Sequence, residues 1–258
     1  MNTFLYAIIF IIGCFFGSFF TLAVYRIPRK EDILIKHSYC PNCNHRLGFF
    51  DLFPVLSYVF LAGKCKYCGN KIRARYIILE ILSGLTFLTI AIATKADVFN
   101  TKKIISLIFL LLYISVLFII AGIDKENIKV EKSVLIFGYI IEIVYIIYLY
   151  TLGIVNVYQY VMYLILFIIL LSLSITSIKV SLKEEYFIQI LYLSLYMMIF
   201  GGSKIYILTV ILTLLIITIY MLLSKQKQVP KTLPIGFYLS VSNILVIIIC
   251  NMIMNYMI

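Results

Sequence analysis

Charge and tryptophan are what this sequence has least of. Charged residues fill only 13% of its 258 positions against 64% for hydrophobic ones, and tryptophan is absent. A soluble domain carries about a quarter charged residues, and one of this length could not hide so much apolar surface, so the solvent is lipid. Tyrosine (21) and phenylalanine (19) are left as the aromatic anchors for the two interfaces. No internal repeat, Gly/Ser linker or glycine-rich nucleotide loop is present, which argues against solenoids, tethered modules and a nucleotide fold. The first apolar run has no basic segment before it and no small-x-small cleavage site after it, so it reads as a retained helix rather than a signal peptide.

A spanning helix needs about 20 predominantly apolar residues. Eight runs qualify: Phe4–Ile27, Tyr76–Ala93, Ile104–Ile123, Val134–Tyr150, Val157–Ile175, Phe187–Phe200, Ile205–Leu223 and Leu233–Ile258. The sixth is short. The pattern predicts an all-α polytopic membrane protein: a first helix (1–27), a polar insert (28–75) and a seven-helix membrane domain (76–258).

The net charge of +11 raises nucleic acid as a partner, and the distribution of lysine and arginine removes it. With the N-terminus outside, the inner loops hold 18 of the 22 basic residues. Only Lys95, Lys102, Lys103 and Lys204 fall on the outer side. That asymmetry follows the positive-inside rule, so the charge is topological and the partner it implies is the bilayer.

Six cysteines divide into two kinds. Cys14 and Cys250 lie in apolar runs, as buried thiols do. Cys40-Pro-Asn-Cys43 and Cys65-Lys-Tyr-Cys68 form two CxxC pairs in the polar insert. Two knuckles at this spacing close a tetrahedral S4 zinc site, a structural one because all four positions are filled. A redox dithiol is the minor alternative. Arg46, Lys64, Lys66 and Lys71 surround the cluster and favour thiolates, while His37 and His45 read as surface residues. Between the knuckles runs an apolar stretch including Phe49, Phe50, Phe53, Leu56, Val59 and Phe60. It suits either an amphipathic segment lying on the membrane or the spans, or the small core of the ribbon itself.

Taken together, these residues resemble a known family. Gly17-Ser-Phe-Phe-Thr-Leu-Ala-Val-Tyr-Arg-Ile-Pro28 is similar to the end of the first helix of type IV prepilin peptidases, GSFLNVxxYRxP, with Thr21 in place of Asn. The likeness continues through Cys40-Pro-x-Cys43, Asp51, Pro54-Val-Leu-Ser57, Gly63-x-Cys65-x-x-Cys68 and Ile72-x-x-Arg75-Tyr-x-x-x-Glu80. Ile123-Asp124 resembles the family's first aspartate motif, and Pro234-Ile-Gly236 its PFGP element. The match covers most of the chain and is dense in the first third.

The resemblance implies a membrane aspartic endopeptidase of the bacterial cytoplasmic (inner) membrane. It would remove the basic leader of type IV prepilins or pseudopilins on the cytoplasmic side, and could methylate the new N-terminus from S-adenosylmethionine. Such chemistry needs two carboxylates sharing a proton, one ionised to activate water and one protonated to polarise the scissile carbonyl. Asp124 supplies the first. The family's second aspartate sits in a GxGDxK motif, and the corresponding stretch here, Val180-Ser-Leu-Lys-Glu184-Glu185-Tyr-Phe-Ile-Gln189, has neither that aspartate nor the glycines. Glu184 and Glu185 are the candidate substitutes. The other readings are a degenerate paralogue that binds pilins or assembly partners without cutting, and a methyltransferase without proteolysis. Glu80, which matches a family glutamate, is expected to be structural or to position substrate. Glu142, inside the fourth span, is expected to pair with a polar group of the bundle.

Overall fold

The computed structural model describes residues 2–33, 37–177, 182–223 and 233–256; the side chains of 2, 173–177, 182–184 and 254–256 lie outside that description. The elements are α1 (Asn2–Arg26), α2 (Leu56–Phe60), α3 (Arg75–Ala93), α4 (Thr101–Asn127), α5 (Lys132–Thr151), α6 (Val157–Ser177), α7 (Leu182–Leu223) and α8 (Ile235–Tyr256). Among the described residues there is no strand, only two isolated bridges in the insert, Tyr39 with Arg46 and Lys64 with Lys71. Among the described residues six helices are long and apolar enough to cross a membrane, and α6 adds a shorter apolar run over Val157–Ser172. This is a multi-pass helical membrane protein. Side-chain caps start two of the helices: Asn100 Oδ1 accepts the Lys103 N–H at the head of α4 (3.2 Å) and Asn156 Oδ1 the Tyr158 N–H at the head of α6 (3.1 Å).

Two compact units divide the chain, Met1–Leu107 and Ile108–Ile258. In the first, α1 and α3 pack antiparallel at very short range. A Cβ on Gly13 would lie 2.8 Å from Gly84 Cα, and one on Gly17 would lie 2.7 Å from Glu80 Cα. Without hydrophobic drive in lipid, helices associate through such close backbone approach, which small residues four apart permit. Arg26 ends α1 and closes the entry to the insert. It is buried, and its guanidinium donates to the Asp32 carbonyl (3.0 Å) and the His37 carbonyl (3.2 Å). His37 also meets Arg46, Nδ1 to Nη2 at 3.1 Å, so it has a partner that its sequence position does not suggest.

In the second unit, the sixth and seventh expected spans appear as one element, α7, broken at Gly202 (φ 76°, ψ 169°). The chain reverses there. Tyr186, before the break, reaches the start of α8 through its hydroxyl, which accepts the Gly236 N–H (3.3 Å). Tyr220, after the break, also lies beside that end, its ring 6.2 Å from Tyr238. The limbs 182–201 and 203–223 therefore run in opposite directions, and the six-helix count counts this pair once. Gly202 permits so tight a reversal because its φ is open only to a residue without Cβ.

Aromatic stacking holds the unit's interior. Tyr113 of α4 stacks on Phe200 (3.9 Å) and Tyr196 (4.9 Å) of α7, while Phe109 stacks on Tyr145 of α5 (4.9 Å). A polar chain runs through the same region: the Tyr113 hydroxyl donates to Asn243 Oδ1 (2.8 Å), and Asn243 Nδ2 donates to Thr209 Oγ1 (3.0 Å). Glu142 is buried nearby on α5, but neither of its oxygens finds a hydrogen-bond partner among the described residues. The polar partner expected for it is therefore not among the described residues.

Candidate active site and metal centre

The metal centre is assembled by two copies of one turn. In the first knuckle the Cys40 N–H donates to the His45 carbonyl (3.0 Å) and the Asn44 N–H to the Cys40 carbonyl (2.8 Å). In the second, the Cys65 N–H donates to the Asn70 carbonyl (2.8 Å) and the Gly69 N–H to the Cys65 carbonyl (2.9 Å). The repeated bonding points both sulfurs of each CxxC the same way. The four Sγ atoms of Cys40, Cys43, Cys65 and Cys68 all lie within 4.8 Å of one another, with Cys40 and Cys68 at 3.9 Å. Four sulfurs each about 2.3 Å from one tetrahedral ion would sit close to such a spacing, so the residues fit zinc. Cys40 and Cys65 are buried, Cys43 and Cys68 exposed. Without metal the tetrad shares its protons unevenly. The Asn70 amide and then the Asn42 side-chain amide draw the Cys68 thiol down to about 7. Cys43 is pushed up to about 11, the His45 amide being outweighed by desolvation and by the neighbouring sulfurs of Cys40 and Cys68.

Residues outside the tetrad brace the two knuckles. Asp51 Oδ2 accepts from the Tyr67 hydroxyl and the Gly48 N–H, both at 3.0 Å, and the His45 ring lies 3.6 Å from that of Tyr67. His45 therefore packs across the module. Glu80 holds the module's inner edge to α3: its Oε2 accepts the Val55 N–H at 2.8 Å. Val55 has φ 61°, ψ −52°, a strained conformation for a β-branched residue. The bond to Glu80 helps to hold it there.

The carboxylate site lies in the second unit. Asp124, in the last turn of α4, is fully buried. Its Oδ2 accepts the Phe237 N–H from the first turn of α8 (2.9 Å) and the Tyr186 hydroxyl from the first turn of α7 (3.0 Å). Its Oδ1 has no partner among the described residues. Gly236 makes room for the carboxylate, since a Cβ there would stand 3.1 Å from Asp124 Oδ2. Lys125, the next residue, turns its ammonium over the Phe237 ring at 4.9 Å. The helix start of α8 thus supplies both space and a donor, and an N-terminal turn favours a carboxylate.

The stretch expected to deliver a second carboxylate delivers a phenol, that of Tyr186, to Asp124. Glu185, one residue earlier and so about 100° away around the helix, is exposed and binds elsewhere. Its Oε1 is 3.4 Å from Lys132 Nζ and takes the Gln189 amide at 3.5 Å. The side chain of Glu184 lies outside the described residues. Gln189, buried at 3% exposure, also accepts the Val130 N–H (2.9 Å) and so ties α7 to the loop after Asp124. Neither Tyr186 nor Gln189 carries a sequence signal; only the spatial neighbourhood of Asp124 brings them forward.

Residues 11–94 match the family model described as the bacterial peptidase A24 N-terminal domain. Curated relatives agree. A prepilin leader peptidase/N-methyltransferase of Bacillus subtilis is 33% identical over 131 residues, covering 51% of this chain and 50% of that protein. Proteins of the same name from Vibrio cholerae and Myxococcus xanthus are 38% and 37% identical over 87 and 79 residues, covering 30% and 31% of this chain and 34% and 24% of theirs. The matched part of the chain thus spans half or less of each of these relatives' length. No solved structure matches.

Proposed function

We propose, from the premise that these matches support a member of the type IV prepilin peptidase family, that this chain removes the leader peptide of type IV prepilins or pseudopilins. The reaction is a hydrolysis at the cytoplasmic face of a bacterial cytoplasmic membrane, with the N-terminus outside and both polar modules inside. Methylation of the new N-terminus, with S-adenosylmethionine as donor, belongs to the same reading and comes from the names of the relatives. The zinc ribbon is structural in it: Cys40, Cys43, Cys65 and Cys68 hold the ion and it takes no part in the reaction.

The observation that carries the reading is Asp124. A carboxylate taken out of solvent at the end of α4, with its Oδ2 oriented by the Phe237 N–H and the Tyr186 hydroxyl, is set in one orientation for acid–base work once substrate opens the site. Its partner must be a protonated carboxyl that donates to the scissile carbonyl. Glu185 or Glu184 fills that role; for Glu185 this means leaving Lys132 and Gln189 and swinging across the first turn of α7.

A second reading, a relative that binds prepilins without cutting them, is favoured by one specific contact. Tyr186 occupies the side of Asp124 from which a second carboxylate would act, and a phenol cannot share an acidic proton as a carboxyl does. Coexpression with a prepilin from the same genome separates the two. Leader removal, followed by gel shift and N-terminal mass, is expected for the wild type and is lost in Asp124→Asn and in Glu185→Gln or Glu184→Gln. An uncut prepilin, in cells where an established family member cuts it, would leave only the binding reading.

A further inference from the structure

The apolar stretch between the zinc knuckles is no core. Phe50 is 85% exposed, Phe60 83% and Phe49 72%, with Val59 and Leu56 also open. In water a patch of this kind is a liability or a docking surface. Its depth identifies what covers it. Gly13 approaches Gly84 and Gly17 approaches Glu80, so α1 and α3 run in fixed antiparallel register and Phe15 lies level with Leu82. Leu82 is seven residues inside Arg75, or about 10 Å along the helix.

The ring of Phe53 meets that of Phe15 edge-on with centroids 5.2 Å apart, and Val55 is bonded to Glu80. The segment after the first knuckle therefore does not stay with the polar module. It descends alongside the spanning helices, below the level at which α3 begins. Phe15 and Phe19 on α1 are themselves partly exposed, so the patch continues the lipid-facing surface of the span. Above it the insert is basic, with Arg29, Lys64, Lys71 and Arg73 all exposed. An apolar tip under a cationic rim is the arrangement of an interfacial anchor facing anionic headgroups.

We propose that residues 49–60 form a monotopic membrane anchor, with Phe49, Phe50 and Phe60 buried among the acyl chains of the leaflet on the insert's side. The zinc ribbon is then held at the bilayer surface from two directions, by the Glu80 bond from the protein and by the aromatic tip from the lipid. This inference does not depend on whether Asp124 cuts.

The absence of tryptophan makes the test direct. Phe50→Trp and Phe60→Trp are placed singly in the full chain and reconstituted into phosphatidylglycerol/phosphatidylcholine vesicles with brominated acyl chains. Ile8→Trp on α1 gives the lipid reference and Tyr39→Trp beside the first knuckle the aqueous one. The expected result is loss of emission to brominated chains as deep as at position 8, with protection from iodide. Quenching by iodide as at position 39, with no effect of bromine, overturns the anchor. So does protection that arises only when a prepilin helix is added, since the patch would then be a protein dock. The unsubstituted chain gives a second reading: photolysis of diazirine-bearing acyl chains should label the 49–60 peptide, and label on α1 without label there also overturns it.

Discussion

At the residue scale, the chemistry turns on which group stands next to Asp124. Its position at the end of an apolar run was legible in the sequence, because an ionisable residue at a span's edge is conspicuous among only four aspartates. Tyr186 was not, since it is one of 21 tyrosines and its contact joins positions 62 apart with no periodic trace. The two donors on Oδ2 make a prediction. Tyr186→Phe removes one bond to a buried carboxylate, which costs about 1.5–3 kcal/mol where the acceptor is charged, while clearing the side from which a second carboxyl can approach. If Asp124 works with a glutamate, the variant should melt a few degrees lower yet remove leaders severalfold faster in purified, lipid-reconstituted form. Loss of cleavage in a folded Tyr186→Phe protein would instead make the phenol a reacting group.

At the scale of elements, two devices were readable to different degrees. The cysteine spacing fixed the knuckles, and the four sulfurs do converge. What the spacing could not reveal was the bracing by Asp51, Tyr67 and His45, because those contacts join residues from both knuckles. The insert has little other core: its large apolar side chains at 49, 50, 56, 59 and 60 face outward. If the tetrad holds zinc as proposed, the metal should supply much of the insert's folding free energy, as it does in small zinc modules. The purified chain should hold one zinc, and Cys65→Ser should abolish it. Chelation should open the second knuckle to trypsin at Lys64 and Lys66 while leaving α4 to α8 protected. Equal digestion with and without chelator would show that the insert folds without metal. The reversal inside α7 was readable only as a pair of apolar runs; that a single residue, Gly202, suffices to turn the chain needs the observed φ of 76°.

At the scale of the whole molecule, composition decides the solvent, and charge distribution predicts an orientation. Hydropathy separated eight runs, and helices form along them because a backbone in lipid must satisfy its own polar groups. The side contacts within each unit, which depend on which face of an all-round apolar helix meets its neighbour, left no such trace. The expected orientation rests on physics outside the fold: lysines resist translocation, so the loops richest in them are expected inside. Lys125 in the last turn of α4, Lys129 in the loop after it and Lys132 at the head of α5 cluster at one end of these helices, whereas the connection from α3 to α4 has Lys95 and Asp97, with Lys102 and Lys103 in the first turn of α4. Both connections are short enough for the rule to apply. A membrane-impermeant maleimide on intact bacteria should therefore modify a cysteine placed at Phe99, which is 77% exposed, and spare one placed at Glu126 until the membrane is opened. The reverse pattern would put Asp124 and the cysteine tetrad on the outer face, away from the reducing compartment that keeps thiols free for metal. It would also remove them from the side on which a newly made prepilin presents its basic leader, so this labelling tests the proposed reaction as well as the topology.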